Sequence, residues 1–281
     1  MEVISNRHEI YARIAHERQV GRSVGLVPTM GALHAGHLSL LERCQEICDV
    51  SVATIFVNPS QFGPKEDYTR YPRTLEQDLE KLDKVGTSFV FVPDSHTIYP
   101  PGFSTYVEPP AVGQRWEGEC RPGHFRGVAT IVLKLFQLLP ATASFFGRKD
   151  YQQALVIRRM VEDLNVPMRI ETCPTLREPD GLAMSSRNRY LSPAERQQAL
   201  GLWHALQAAS DMLNSGRRQV AEIERELRQT LNDHQIDNID YAVVVDTETL
   251  EPLQEVAGAA VILLAARVGA TRLIDNLLIE G

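Results

Sequence analysis

Strand-like and helix-like segments alternate through the first two-thirds of this chain, and few architectures accept that order. Apolar, β-branched runs stand at 23–29 (SVGLVPT), 50–59 (VSVATIFVNP), 87–94 (TSFVFVPD), 141–147 (ATASFFG) and 167–175 (PMRIETCPT). Between them lie segments with helical spacing. Residues 37–49 put Leu38, Leu41, Ile47 and Cys48 on one face; residues 74–86 carry Leu75, Leu79 and Leu82 and stop at Gly86; 127–139 and 150–165 follow. Parallel strands need a crossover between them, and helices are the usual crossover. The expected class is therefore α/β, with a mainly parallel sheet.

The pattern changes after about residue 176. In LSPAERQQAL, Ser192, Pro193 and Glu195 form a capping box that starts a helix. Helices are expected near 193–213 and 217–233. Strands follow at 239–246, 259–269 and 271–279, the last two turning at Gly269. This reads as a smaller α+β domain.

Composition narrows the function classes. The 281 residues are 43% apolar and 23% charged, enough to bury a core, and the formal net charge is −7. That balance argues against a protein built to neutralise nucleic acid, while leaving room for a local basic pocket. No apolar run approaches the ~20 residues of a membrane helix. MEVISNRHEI has no secretory pattern, so a cytoplasmic setting is expected. Cys44, Cys48, Cys120 and Cys173 form no CxxC pair or zinc-ribbon spacing, and the first two fit small buried thiols on a helix.

Ligands of open α/β sheets bind beyond the carboxyl ends of the strands. Four polar clusters stand at such positions or at the domain junction. The first is MGALHAGH (30–37), between a strand and a helix beginning near His37. Gly31 and Gly36 allow close backbone approach, and a helix N-terminus offers N–H groups to an anion. His34 and His37 there have three readings: ligands of a metal, structural side chains, or partners of phosphate. A metal needs further ligands, which no nearby Cys or Asp/Glu cluster supplies. The second cluster is NPSQFGPKEDYTRYPR (58–73), where Asn58 and Gln61 suit hydroxyl or carboxylate recognition, or simply a polar turn. The third is FGRKDYQQ (146–153), with Lys149 as a point charge for phosphate, Asp150 as a natural N-cap and Gln153 in the first helical turn. The fourth is DGLAMSSRNRYLS (180–192), where two serines and Arg187 offer donors to phosphate oxygens.

Taken together, these blocks carry a family resemblance. PTMGALHAGH resembles the HIGH motif of adenylate-forming nucleotidyltransferases, and MSSRN resembles its partner phosphate loop. VPTMGALHAGHLSL, IFVNPSQF, RYPRTLEQD, RPGHFRGVATIVLKLF, GRKDYQQ and DGLAMSSRNRYLS, in that order over residues 24–192, closely resemble the pantothenate synthetase family. Ala35 is a departure, since the family often has Glu between the two histidines. The resemblance implies a Rossmann-like N-terminal domain, 1–175, binding ATP and pantoate. A smaller α+β C-terminal domain, 176–281, would close over the active site.

The implied activity is a ligase reaction. Pantoate and β-alanine are condensed with ATP to give pantothenate, AMP and pyrophosphate through a pantoyl adenylate, with magnesium accompanying ATP. No protein-bound metal, nucleic acid or membrane partner is expected, and a homodimer is. Residue by residue, Met30, Gly31, Ala32, Leu33, His34, Ala35, Gly36 and His37 match the ATP site. So do Gly147, Arg148, Lys149, Asp150, Leu176, Met184, Ser185, Ser186 and Arg187. His37, His34 and Lys149 match the catalytic set, with His37 as proton donor. Gln61 and Gln153 match the pantoate contacts, Gln61 also near β-alanine, and Asn58 is a further candidate.

Adenylation needs positioning and charge stabilisation more than a protein nucleophile, and the sequence holds no GxSxG motif. A nucleotidyltransferase acting on a phosphate would share the HIGH-like element but gives no reason for Gln61 and Gln153. A nucleotide- or metal-sensing module would not need these blocks. A tRNA-charging enzyme conflicts with the acidic charge and the short chain.

Overall fold

The computed structural model describes residues 1–64 and 66–280. Two compact units emerge from it: Met1–Arg148 with Gln152–Pro174, and Lys149–Tyr151 with Thr175–Gly281.

The first unit holds β1 (Glu2–Ile4), α1 (Arg7–Gln19), β2 (Val24–Thr29), α2 (Ala35–Ile47), β3 (Val50–Ile55), α3 (Leu75–Lys84), β4 (Phe89–Phe91), α4 (Ser95–Ile98), α5 (Glu117–Cys120), α6 (His124–Leu138), β5 (Ala143–Gly147), α7 (Tyr151–Asp163) apart from its first residue, Tyr151, and β6 (Arg169–Cys173). Among the described residues, the six strands run in the order β1-β4-β3-β2-β5-β6, and every pairing is parallel. The Rossmann-like expectation holds. One core face gathers Leu26, Val52 and Phe91 with Ile10, Val132 and Ile157, while Leu41, Cys44 and Leu82 cover the other face beside Val27 and Phe145.

The order reverses between β2 and β5. From β2 the chain builds outward to β3 and β4, and from β5 it builds the other way to β6. β2 pairs with β5 only at Gly25 and Leu26, whereas it pairs with β3 along its whole length. Pro28, which has no N–H to give, stands beyond the point where β5 leaves. A crevice at the carboxyl ends of the strands follows from that reversal.

Three local expectations are corrected. The first strand and α1 escaped the periodicity reading, because RHEIYARIAHERQ is mostly polar and buries only Ile10, Ile14 and Glu17. The helix expected near His37 begins at Ala35, with His34 as its extended N-cap. Its core face is Leu40, Leu41 and Cys44, with Leu38 and Ile47 only partly buried. On α3 the leucine pattern misled: Leu75 is 42% exposed, and the buried positions are Asp78 and Leu82.

The second unit adds α8 (Pro193–Gln198), α9 (Leu200–Asn214), α10 (Val220–Asp233), β7 (Ile239–Asp246), β8 (Ala260–Val268) and β9 (Thr271–Ile279). The capping box forms: Glu195 N–H donates to Ser192 Oγ at 3.3 Å, and Ser192 N–H donates to Glu195 Oε2 at 2.8 Å. The three strands are antiparallel, with Gly269 at a φ of 56° in the β8–β9 turn. Leu206, Leu227 and Ile262 are central in the core of this unit.

Candidate active site

The turn from β2 into α2 is built before any ligand arrives. Thr29 starts it: its hydroxyl donates to Thr54 C=O at 2.6 Å and accepts from Gly31 N–H at 3.2 Å. Gly31 and Ala32 then take positive φ values of 82° and 52°. For Ala32 this conformation is strained, so its surroundings must enforce it. Asp78, fully buried on α3, does so. One carboxylate oxygen accepts from Ala32 N–H and the other from Leu33 N–H, each at 2.8 Å. Thr74 Oγ1 also donates to Asp78, at 3.1 Å. Lys81, one turn on, donates to Leu33 C=O at 2.7 Å. Side chains from α3 thus hold both sides of the turn.

His34 and His37 stand on the first turn of α2. His34 N–H faces His37 Nδ1 at 3.4 Å, and the rings lie 4.1 Å apart between centroids. A neutral imidazole that accepts at Nδ1 carries its proton on Nε2, so His37 presents an Nε2–H donor. Helix N–H groups and an imidazole donor together suit an anion.

The glutamine cluster is equally prepared. Asn58 is 1% exposed and its amide is occupied within the fold. Its Nδ2 donates to Gln61 Oε1 at 2.9 Å and to Gly127 C=O at 3.2 Å, and its Oδ1 accepts from Tyr99 OH and Ser60 Oγ at 2.8 Å each. Asn58 therefore sets the orientation of Gln61. With Oε1 taken, the Gln61 Nε2 end points to Met30 Sδ at 3.3 Å, ready for an acceptor. The turn carrying Gln61 rests on α6 at Gly127. A Cβ there would run into Ser60 C=O and stand 2.6 Å from Gln61 N.

A second support reaches the Gln61 backbone. His124 Nδ1–H donates to Gln61 C=O at 2.9 Å, and Arg121 Nη1 lies 3.0 Å from His124 Nε2. Arg121 in turn holds Glu66 through two bonds of 2.6 and 2.8 Å. Burial first, and the Arg121 charge second, push the His124 pKa down to about 4, so the ring is neutral at pH 7. Burial raises the Glu66 pKa, but hydrogen bonding and charge attraction from Arg121 outweigh it, so Glu66 falls below its ordinary value. The blocks containing Asp78, Arg121 and His124 were visible in the sequence, but their roles were not. An aspartate amid leucines at helical spacing, and a histidine opening an apolar helix, were the available signals.

The third cluster divides. Gly147 ends β5, and among the described residues no atom lies within 4 Å of where its Cβ would stand, so the backbone there is open to approach. Arg148–Asp150 form a 3-10 turn running into α7, so Asp150 lies inside a helical turn instead of capping one from an extended residue. The two glutamines of KDYQQ differ. Gln152 is 4% exposed and binds Glu117 N–H, Val112 C=O and Arg115 C=O at 2.7–3.1 Å, while Gln153 is half-buried in the first turn of α7.

In the second unit, Leu176 and Met184 are cross-strand partners. Met184 N–H donates to Leu176 C=O at 3.0 Å, and Arg177 bridges Ala183. Ser185 then caps a 3-10 turn at Ser186–Tyr190, accepting from Arg187 N–H at 3.2 Å. Asn188 pins the loop to Glu178 at 3.0 Å and Ala183 C=O at 3.1 Å. Lys149 lies 3.8 Å from Asp150. Burial pushes the Cys44 thiol up to about 12, so it offers no thiolate nucleophile.

Known proteins share this chain's sequence and fold over nearly its whole length. A family model described as pantoate-beta-alanine ligase matches residues 2–278. A pantothenate synthetase from Moorella thermoacetica is 48% identical over 280 residues, covering 100% of this chain and 99% of that one. One from Thermotoga petrophila is 48% identical over 276 residues, covering 98% and 99%. The crystal structure of pantothenate synthetase from Thermus thermophilus superposes with a TM-score of 0.95 at 45% identity, covering both chains fully. The Francisella tularensis pantoate-beta-alanine ligase, solved with beta-gamma ATP and beta-alanine, gives 0.82 at 34% identity, covering 99% and 97%.

Proposed function

The chain belongs to the pantoate-beta-alanine ligase family, and from that premise we propose how its residues divide the work of the reaction. The enzyme condenses pantoate with β-alanine at the expense of ATP, giving pantothenate, AMP and pyrophosphate. A carboxylate is a poor acyl donor because its leaving group would be oxide. Transfer to the α-phosphorus of ATP makes a pantoyl adenylate and releases pyrophosphate. The β-alanine amine then attacks the acyl carbon, AMP leaves, and the amine loses a proton.

The observation that carries the assignment is the β2–α2 turn, which sets helix N–H groups, His34 and the His37 Nε2–H beside the crevice at the sheet reversal. Met30 to His37 would receive the nucleotide, with Gly147 and Arg148 at the neighbouring strand end. A hydrogen bond from the His37 Nε2–H would answer the charge that grows on the phosphates, and as the imidazolium, its Nδ1 then released from His34 N–H, His37 would give a proton to the leaving group. Gln61 and Gln153 would hold pantoate, with Gln61 also close to β-alanine, and Asn58 would act by orienting Gln61. Lys149, Asp150, Leu176 and Met184–Arg187 of the second unit are assigned by their motifs to the same nucleotide, Lys149 on phosphate. Closure of that unit would keep water from the acyl adenylate.

The donor set is imidazole, ammonium, hydroxyl and guanidinium, which suits phosphate oxygens better than a hard cation. Magnesium would therefore arrive with ATP, held mainly by phosphates and water, and would neutralise part of the leaving-group charge. A homodimer joined through the first unit and a cytoplasmic setting complete the reading. None of the described helices is long and apolar enough to cross a membrane.

Assays with one substrate omitted at a time test the order of events. Pyrophosphate release should require pantoate and ATP, and AMP release should require β-alanine in addition. Pyrophosphate release without pantoate would sink the assignment.

A further inference from the structure

Strand β9 carries two polar residues in succession, Asp275 and Asn276, and both are buried, at 3% and 5% exposure. Side chains alternate faces along a strand, and a buried polar group is costly unless it is bonded. Both are bonded. Asp275 receives Arg177 through two bonds of 2.6 and 2.9 Å and accepts from Asn276 N–H at 2.8 Å. Asn276 Nδ2 donates to the backbone C=O of Lys149 at 2.8 Å. Arg177 also donates to Gly181 C=O at 3.1 Å and to Asn276 C=O at 3.3 Å, and its guanidinium stacks 4.1 Å from the Trp203 ring centroid. Two residues along from Lys149, Tyr151 OH donates to Thr247 C=O at 3.0 Å.

We propose that Asn276 is a positioning residue for the ATP-dependent step, acting through its hydrogen bond to the backbone of Lys149. The inference rests on the reading of Lys149 as a phosphate contact. A lysine is a point charge at the end of a flexible stem, so where its ammonium sits depends on where its backbone is held. The same buried cluster holds Arg177 and Gly181, which lie on the hairpin leading to Met184–Arg187. One set of bonds thus fastens the lysine and the serine-arginine loop to a common frame. Adenylation depends on such placement, since small displacements of a positioned group cost large factors in rate.

The test is a set of four variants of the full-length enzyme. Asn276→Ala and the isosteric Asn276→Asp, which has no N–H to give, should each lower pantoate-dependent pyrophosphate release by about 10- to 100-fold. The KM for β-alanine should stay unchanged; the variants should melt lower because a buried bond is lost, so rates are compared at a temperature where each remains fully folded by circular dichroism. Lys149→Ala should lower the same step at least as far, and adding Asn276→Ala to it should cost nothing more. Wild-type rates in both Asn276 variants would overturn the proposal, as would an undiminished loss in the Lys149→Ala background. Should Lys149→Ala alone keep the wild-type rate, the phosphate role of Lys149 fails first and the inference falls with it. If the Asn276 variants fold poorly, Tyr151→Phe removes a single hydroxyl bond from the same fastening. A smaller loss confined to pyrophosphate release supports the proposal there, and an unchanged rate counts against it.

Discussion

The Asp78 carboxylate takes the backbone N–H of Ala32 at 2.8 Å, and with its other oxygen the N–H of Leu33, so a buried charge on α3 shapes the turn that ends at His34. Asp78→Asn keeps the volume but turns one acceptor into a donor facing an N–H. The variant should lose about 2 kcal/mol of stability. It should also lose pyrophosphate release beyond what the stability loss explains, because Ala32 is no longer held at positive φ. Urea unfolding and a pyrophosphate assay at the same temperature separate the two effects.

His37→Ala removes the Nε2–H donor and leaves the turn, whose shape comes from Thr29 and Asp78. It should melt close to the wild type yet release pyrophosphate about 10²-fold more slowly. Normal turnover in this variant would take His37 out of the mechanism.

The adjacent glutamines of KDYQQ should give opposite phenotypes. Gln152→Ala leaves Glu117 N–H and the carbonyls of Val112 and Arg115 without their partner and should cost about 1–3 kcal/mol of stability. Gln153→Ala should leave the melting temperature nearly unchanged and raise the KM for pantoate far more than that for ATP. Equal rises in both constants would remove Gln153 from the pantoate site.

Gly127→Ala forces a methyl group against Ser60 C=O. The backbone carrying Gln61 must move, at a cost of about 1–3 kcal/mol. The KM for pantoate and β-alanine should rise together, because the displaced residue is assigned to both, while ATP affinity is spared. Steady-state kinetics for the three substrates check this.

Acid should weaken the first unit through His124. Its folded pKa is near 4 against an ordinary 6.5, so the unfolded chain binds the proton first as pH falls. The stability this ring contributes is intact above about 6.5 and is lost between 6.5 and 4, on the order of 3 kcal/mol in all. Melting temperature followed from pH 7 to 4.5 should decline over that window. The decline should be shallower in His124→Asn, which does not titrate.

Much of this was readable from residue order. Strands alternating with helices dictate a parallel sheet, and the Ser192–Glu195 capping box is a local signal that needs no tertiary partner. Three of the four motif clusters follow strands β2, β3 and β5 for the same reason. What stayed hidden depends on distant partners. Nothing local marks Asp78 as buried, because the N–H groups it serves lie 45 and 46 positions away. Gln152 and Gln153 are indistinguishable until the loop at 112–117 takes one of them. Arg177, Asp275 and Asn276 belong to no motif, and only the folded sheet makes neighbours of positions 149 and 276.

The pairing of β2 with β5 also bears on how the chain is made. Ser144 and Leu26, bonded across that junction, are 118 positions apart. A ribosome delivers β2, α2 and β3 long before it delivers β5. Until then one side of VGLVPT is an uncovered strand edge, and uncovered edges recruit other chains. The turn bearing His34 and His37 can take shape early on β3 and α3. Its flank is sealed only when the middle of the message has been translated, so burdens on folding in the cell should fall on this interval.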